Sequence, residues 1–154
     1  MKIRRAGRED LEDVARLVWL HAPAEQQDRQ PLGPFTSDLG TWWAQHVDTH
    51  HAFLALLDGR AVGIAWVALL PRVPRPGSLG RIAADLQSVY VVPEHRGKRI
   101  GAALVEAATE HGLRLGAGRV TVHSSGKAVP LYERLGFAGL PQYLQREADR
   151  GQPL

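Results

Sequence analysis

Residues 89–115 read VYVVPEHRGKRIGAALVEAATEHGLRL, and this stretch decides the fold. Val89, Tyr90, Val91 and Val92 favour an extended backbone, because a branch or ring at Cβ packs well on a pleated surface. Pro93 has no N–H for a further ladder bond, so a strand is expected to stop near Val92. From Ile100 the positions Ile100, Leu104, Ala108, His111 and Leu115 recur at helical spacing. Val105 and Gly112 widen that stripe, and Glu106, Glu110 and Arg114 fall on the side expected to face water. The helix is expected to begin just after Gly97. Its first amides have no partner inside the helix, they point back toward the strand end, and the helix dipole has the sign that suits an anion. Arg96, Lys98 and Arg99 add positive charge. The loop therefore suits a phosphate or pyrophosphate, the alternative being an ordinary strand-to-helix turn with a solvated basic face. It is neither the six-residue dinucleotide fingerprint nor a Walker loop, since no Lys-Ser/Thr pair follows the glycines.

The rest of the composition narrows the class. A chain of 154 residues with 44% apolar and 23% charged side chains is long enough for one well-packed α/β domain, and one domain over residues 1–154 is the expectation. The formal charge of +3 slightly favours an anionic ligand. Basic residues are interspersed with acids and do not alternate with aromatics, so no nucleic-acid-binding stripe is read. Cysteine is absent, which removes disulfides, thiolate metal sites and a cysteine nucleophile. No metal-ligand spacing is found either, His50 and His51 being adjacent without supporting carboxylates. The opening MKIRRAGRED lacks an apolar segment after its charges, and no 18-residue uncharged apolar run follows, so a cytoplasmic protein without membrane contact is expected.

Working outward from the central stretch, Lys2 to Ala6 reads as a strand and GREDLEDVARLVWLH as a helix with the stripe Leu11, Val14, Leu17, Val18 and His21. Residues 22–39 contain Pro23, Pro31, Pro34 and Gly33 and read as a loop with a short helical turn near residues 24–27. Ser37 or Asp38 is expected to cap a second helix running to about Asp48. On it the adjacent Trp42 and Trp43 cannot face the same way, so one is expected in the core and the other at a cleft or interface. Ala52 to Leu57 and Arg60 to Leu70 read as a hairpin around the strong Asp58-Gly59 turn, with Gly63 marking a bulge or crowding. Residues 71–80 read as a loop and residues 82–92 resume the sheet. Gly116 and Gly118 end the central helix, and Arg119 to His123 forms another strand. Serines after it can cap a short helix containing Pro130. Further strands are expected near Phe137 and over residues 142–146, before a frayed tail.

The motif residues carry a resemblance. Arg96, Gly97, Ile100 and Gly101, after a Val-rich strand and Pro93, resemble the acetyl-CoA-binding motif of the GNAT superfamily of N-acetyltransferases. Arg99 stands where the family commonly has a middle glycine. Ser125, Ala128, Leu131, Tyr132, Gly136 and Phe137 agree in spacing with that family's C-terminal motif, Ser125 replacing its common asparagine. The resemblance implies an α/β, single-domain GNAT-like fold, with a mixed, mostly antiparallel sheet of six to seven strands flanked by about four helices. It implies direct transfer of acetyl from acetyl-CoA, as co-substrate and without a metal, to a primary amine of a small molecule or protein. Backbone groups of Val89, Tyr90 and Val91 would meet the pantetheine and thioester. Arg96, Gly97, Lys98, Arg99, Ile100, Gly101 and Ala102 would hold the pyrophosphate, with Ser125 and Tyr132 completing the coenzyme site. Tyr132 is the expected acid for the leaving thiolate. Asp85 and His123 are the expected bases, because Gln87 occupies a frequent carboxylate position and cannot take a proton. Glu25, Trp19, Trp42, Trp43 and Trp66 are expected around the acceptor. A homodimer is allowed. The competing class is a non-catalytic acyl-CoA sensor, and a nucleic-acid-binding role is third.

Overall fold

The computed structural model describes residues 1–148 of the chain. These fall into two compact units, the first ending at His123 and the second beginning at Ser124.

In the first unit, β1 (Lys2–Arg5) leads through a short 3-10 turn into α1 (Leu11–His21), followed by α2 (Ala24–Arg29) and α3 (Leu32–His46). Then come β2 (His50–Leu57), β3 (Arg60–Pro71), β4 (Ile82–Val91), a 3-10 turn at Pro93–His95, α4 (Ile100–Arg114) and β5 (Ala117–Val122). The five strands lie in sequence order in one sheet. Neighbours from β1 to β4 are antiparallel, and β4 and β5 are parallel. The mixed, mostly antiparallel sheet is as expected. The described residues hold five strands, not six to seven, and five α-helices instead of about four.

The entry into α1 is fixed by a buried carboxylate. Asp10 Oδ2 accepts the Gly7 amide at 2.8 Å, while both Asp10 oxygens accept from the Arg4 guanidinium at 2.7 and 2.8 Å. This geometry satisfies an orphan donor at the helix start and joins β1 to α1. One sheet face is covered by α1 and α3, where Val14, Leu17 and Trp43 pack with Leu54, Ile64 and Trp66. The other is covered by α4, whose Ile100, Leu104, Val105 and Ala108 are buried. Leu115, expected on the α4 stripe, lies past its end and is 47% exposed.

Two glycines let α4 approach the sheet. A Cβ at Gly63 would lie 2.9 Å from Leu104 Cδ1 and 3.1 Å from the Tyr90 carbonyl, and one at Gly112 would lie 2.8 Å from Ala84 Cβ. Gly63 thus marks crowding, and it also adjoins a bulge, since the β2–β3 register shifts between Ala55 and Leu56. The hairpin turn has positive φ at both Asp58 and Gly59, which is the hairpin geometry that Asp-Gly favours.

The second helix differs from expectation. α3 starts at Leu32, well before Ser37. Pro34 sits in its first turn, where a missing N–H costs no helical bond, so the proline does not break the helix. α2 buries no residue. It is tied by side chains: Gln27 Nε2 donates to the Trp19 and Ala22 carbonyls at 2.8 and 3.2 Å, and Trp19 Nε1 donates to the Gln30 carbonyl at 2.9 Å.

In the second unit, α5 (Val129–Arg134) begins after Ala128, not at a serine cap, and Pro130 is accommodated within its first turn. Gly136, at φ 92°, ends it. The strands expected near Phe137 and over residues 142–146 do not form among the described residues, where turns and irregular backbone follow. The last six residues of the expected tail, 149–154, lie outside the described residues.

Under α4, His51 and His111 meet across 2.7 Å, and burial pushes His111 down to about 4. A histidine kept neutral in the folded state loses stability to protonation of the unfolded chain as pH falls from about 6.5 to about 4. Chemical denaturation of His111→Gln at a series of pH values should therefore show a shallower loss of stability over that window than the wild-type protein. The Gly112→Val variant should lose about 2 kcal/mol, from overpacking against Ala84, in the same measurement at neutral pH.

Candidate active site

The site is built around the C-terminal half of β4. Its register against β3 runs Asp85 opposite Ala68 and Leu86 opposite Val67, then shifts so that Ser88 lies opposite Trp66. Gln87 is the extra residue. A one-residue bulge exchanges the faces of everything after it. Ala84, Leu86, Val89 and Val91 thus share the α4 side, while Asp85, Ser88 and Tyr90 share the side of α1 and α3. Strict alternation from Asp85 would have put Val89 there in place of Ser88 and Tyr90.

The bulge also marks where β4 leaves β5. Parallel pairing runs to Leu86 opposite Val122 and goes no further. Residues 88–91 pair with β3 alone, so their backbone groups on the β5 side have no strand partner. This gives the opening expected between the strands that end near Val92 and His123.

Past the strand, α4 presents its N-terminus. The first amide there to donate to a backbone carbonyl is that of Ala103, to Arg99 at 3.1 Å. Among the described residues, the amides of Gly97, Lys98, Arg99, Ile100, Gly101 and Ala102 donate to no backbone or side-chain acceptor. Gly97 has φ 77°, and Arg99 also lies in the left-handed region at φ 63°. The position where the family commonly has glycine thus keeps the glycine conformation despite its side chain. That conformation costs a non-glycine residue about 1–2 kcal/mol. Ile100 is buried, so only its amide is offered, whereas Gly97, Lys98 and Arg99 are exposed. Arg96 folds back, its Nε donating to the Val91 carbonyl at 2.9 Å and its guanidinium carbon 5.6 Å from the Tyr90 ring centroid. These free amides, the helix dipole and the flanking cations fit a pyrophosphate.

On the α1 side of the opening, Asp85 accepts from Thr121 Oγ1 at 2.6 Å and from Gln87 Nε2 at 3.3 Å. His123 is exposed just after β5. A group not singled out from the sequence stands nearby. His21, the last residue of α1, stacks on Tyr90 with ring centroids 5.1 Å apart, and its Nδ1 lies 3.1 Å from Ser88 Oγ. Burial holds this imidazole below its ordinary value, and the Arg96 charge pushes the same way. The helical stripe gave His21 a place on the packed face of α1. Its partner Ser88 was hidden by the bulge.

Beyond Ser88 on the same face comes an aromatic group. Trp66 is 6% exposed and packs edge-on against both Trp43 and Trp42, whereas Trp42 is 37% exposed and stacks on His46. The tandem tryptophans divide as expected, Trp43 inward and Trp42 outward. Trp19 is engaged with α2, and Glu25 pairs with Arg29 at the surface. Ser125 and Tyr132 belong to the second unit. There Tyr132 is buried, its ring is 5.5 Å from that of Phe137, and burial pushes its phenol up.

Comparisons with known proteins bear on the fold and the family. A glucosamine 6-phosphate N-acetyltransferase of Trypanosoma brucei brucei is 37% identical over 79 residues, covering 51% of this chain and 52% of that protein, so the match spans about half of the relative. An uncharacterized N-acetyltransferase of Archaeoglobus fulgidus is 29% identical over 123 residues, covering 73% and 74% of the two chains. Among solved structures, a Trypanosoma brucei acetyltransferase superposes with TM-score 0.70 at 23% identity, over 96% of this chain and 99% of that one. A Clostridium acetobutylicum acetyltransferase solved with acetyl-CoA superposes with TM-score 0.68 at 15% identity, over 95% of each. Residues 11–137 match the model of the acetyltransferase (GNAT) family, and with that match over most of its length the chain belongs to this family.

Proposed function

We propose that the protein transfers acetyl from acetyl-CoA directly to a primary amine of a small molecule or protein. The observation that carries this reading is the run of partnerless amides at Gly97, Lys98, Arg99, Ile100, Gly101 and Ala102, set immediately beyond a strand edge that has lost its β5 partner. A pyrophosphate held at the helix start leaves the rest of an extended coenzyme to run along the free edge at Val89, Tyr90 and Val91. No protein nucleophile is then required; proximity, a free amine, polarisation of the thioester carbonyl and proton transfer are sufficient.

Tyr132 is proposed as the proton donor to the departing thiolate. Its support is the motif spacing and the burial that keeps its phenol protonated. Ser125 is proposed at the coenzyme with it. Asp85 and His123 flank the paired end of the opening and are proposed as acceptor-side groups, Asp85 being held in place by Thr121. The exposed Trp42 is proposed to contribute to the acceptor surface. A single catalytic domain, acting in the cytoplasm as a monomer or homodimer, completes the reading.

Purified protein incubated with acetyl-CoA and a panel of amines, including amino sugars, polyamines, aryl alkylamines and peptides, should release thiol and add one acetyl mass to an acceptor. Coenzyme binding without turnover across the panel would support an acyl-CoA sensor instead. Tyr132→Phe should slow turnover about tenfold or more with little change in coenzyme affinity.

The loop has its own test. A Cβ at Gly101 would meet only Val91 Cγ2, at 3.9 Å, so the fold itself leaves room there. Gly101→Trp should weaken CoA binding about tenfold or more in calorimetry by obstructing the approach to the amides. Arg99→Gly, which keeps the left-handed backbone, should weaken it by about threefold at most.

A further inference from the structure

We infer that His21 takes the proton from the acceptor amine and that Ser88 positions it. The inference rests on the acetyl-transfer reading above and gives a role to a constellation which that reading leaves unused.

His21 stands where the chemistry needs a base. Its partner Ser88 is the first residue after the bulge and lies on the stretch of β4 that lacks a β5 neighbour. The ring is fixed twice, by stacking on Tyr90 at an interplanar angle of 24° and by the 3.1 Å contact of Nδ1 with Ser88 Oγ. The Tyr90 ring also carries the Arg96 guanidinium carbon 5.6 Å from its centroid. The groups facing His21 are thus Ser88, the Tyr90 phenol and the Arg96 cation, and among the described residues no carboxylate pairs with it. Such surroundings keep an imidazole neutral near pH 7 and ready to accept a proton. With a proton on Nδ1 the ring donates to Ser88 Oγ, and the Nε2 lone pair is free.

The two expected bases are less well placed. Asp85 lies on the paired side of the bulge, with both oxygens occupied by Thr121 and Gln87. His123 has no hydrogen-bond partner among the described residues, so nothing fixes its ring toward the opening.

The proton balance closes. The acceptor arrives as an ammonium ion and gives one proton to His21 Nε2. Its nitrogen bonds to the thioester carbonyl carbon and the C–S bond breaks. The second nitrogen proton ends on the coenzyme sulfur, and the imidazolium, at the exposed end of α1, returns its proton to water.

The test uses acetyl-CoA and the fastest acceptor of the panel, comparing wild type, His21→Ala, His21→Gln and Ser88→Ala. In wild type, kcat/KM should fall as pH drops through an ionisation lying below the ordinary histidine value. Both His21 variants should lose that limb and about a hundredfold or more in kcat, with acetyl-CoA affinity within about threefold of wild type. Added imidazole should restore activity to His21→Ala but not to His21→Gln, which a merely structural role would not predict. Ser88→Ala should keep the limb, shift its position and lose less activity. An unchanged acidic limb in the His21 variants, or no rescue together with near-normal kcat, overturns the assignment and leaves acetyl transfer standing. A wild-type protein that acetylates no amine sinks both.

Discussion

One extra residue in one strand governs the active side of the molecule. The register of β4 against β3 slips at Gln87, and from there the strand presents the opposite set of side chains to each layer and continues without β5. Had pairing continued, the polar edge of residues 88–91 would be satisfied by β5 and closed to any ligand. Had the register not slipped, Tyr90 would point at α4, where Gly63 and Leu104 leave no space for a ring. The bulge therefore couples two requirements that a regular sheet cannot meet together, a free backbone edge and an aromatic, serine-bearing face turned toward α1.

The close seating of α4 is the complementary constraint. A helix whose N-terminus is to serve an extended ligand on the neighbouring strand must start close to that strand. Glycines at 63 and 112 remove the Cβ atoms that would hold the layers apart. Deep burial of Ile100 and Leu104 then anchors the first turn, so the free amides are carried by a rigid element. Arg99 shows how strongly this geometry is imposed: the backbone is left-handed there without the residue that adopts it most cheaply.

Much of this was legible in the sequence where a local rule sufficed. Pro93 ended the strand, Asp58-Gly59 set the hairpin, and Arg96, Gly97, Ile100 and Gly101 marked the turn into α4 and pointed to the family. Local rules also misled. Pro34 was read as a helix breaker, although in a first turn it displaces nothing, and so α3 was expected several residues too late. Strands are expected near Phe137 and over residues 142–146, but a strand exists only with a partner, and pairing is a property of the whole sheet. The same limit hid Ser88, because period-two alternation cannot foresee an inserted residue, and the link between residues 21 and 88 exists only in three dimensions.

The manner in which α2 is attached has a consequence for how the family fold can be repurposed. This segment contributes nothing to either core layer and is retained by a few side-chain bonds to carbonyls, from Gln27 and Trp19. With no buried side chain to expose, its opening carries little of the global unfolding cost. A stretch so loosely mortgaged to the core can change length and composition under selection while β4 and α4 stay as they are. It lies directly after His21 in the chain, so variation there can change what surrounds the end of α1 without disturbing β4 and α4.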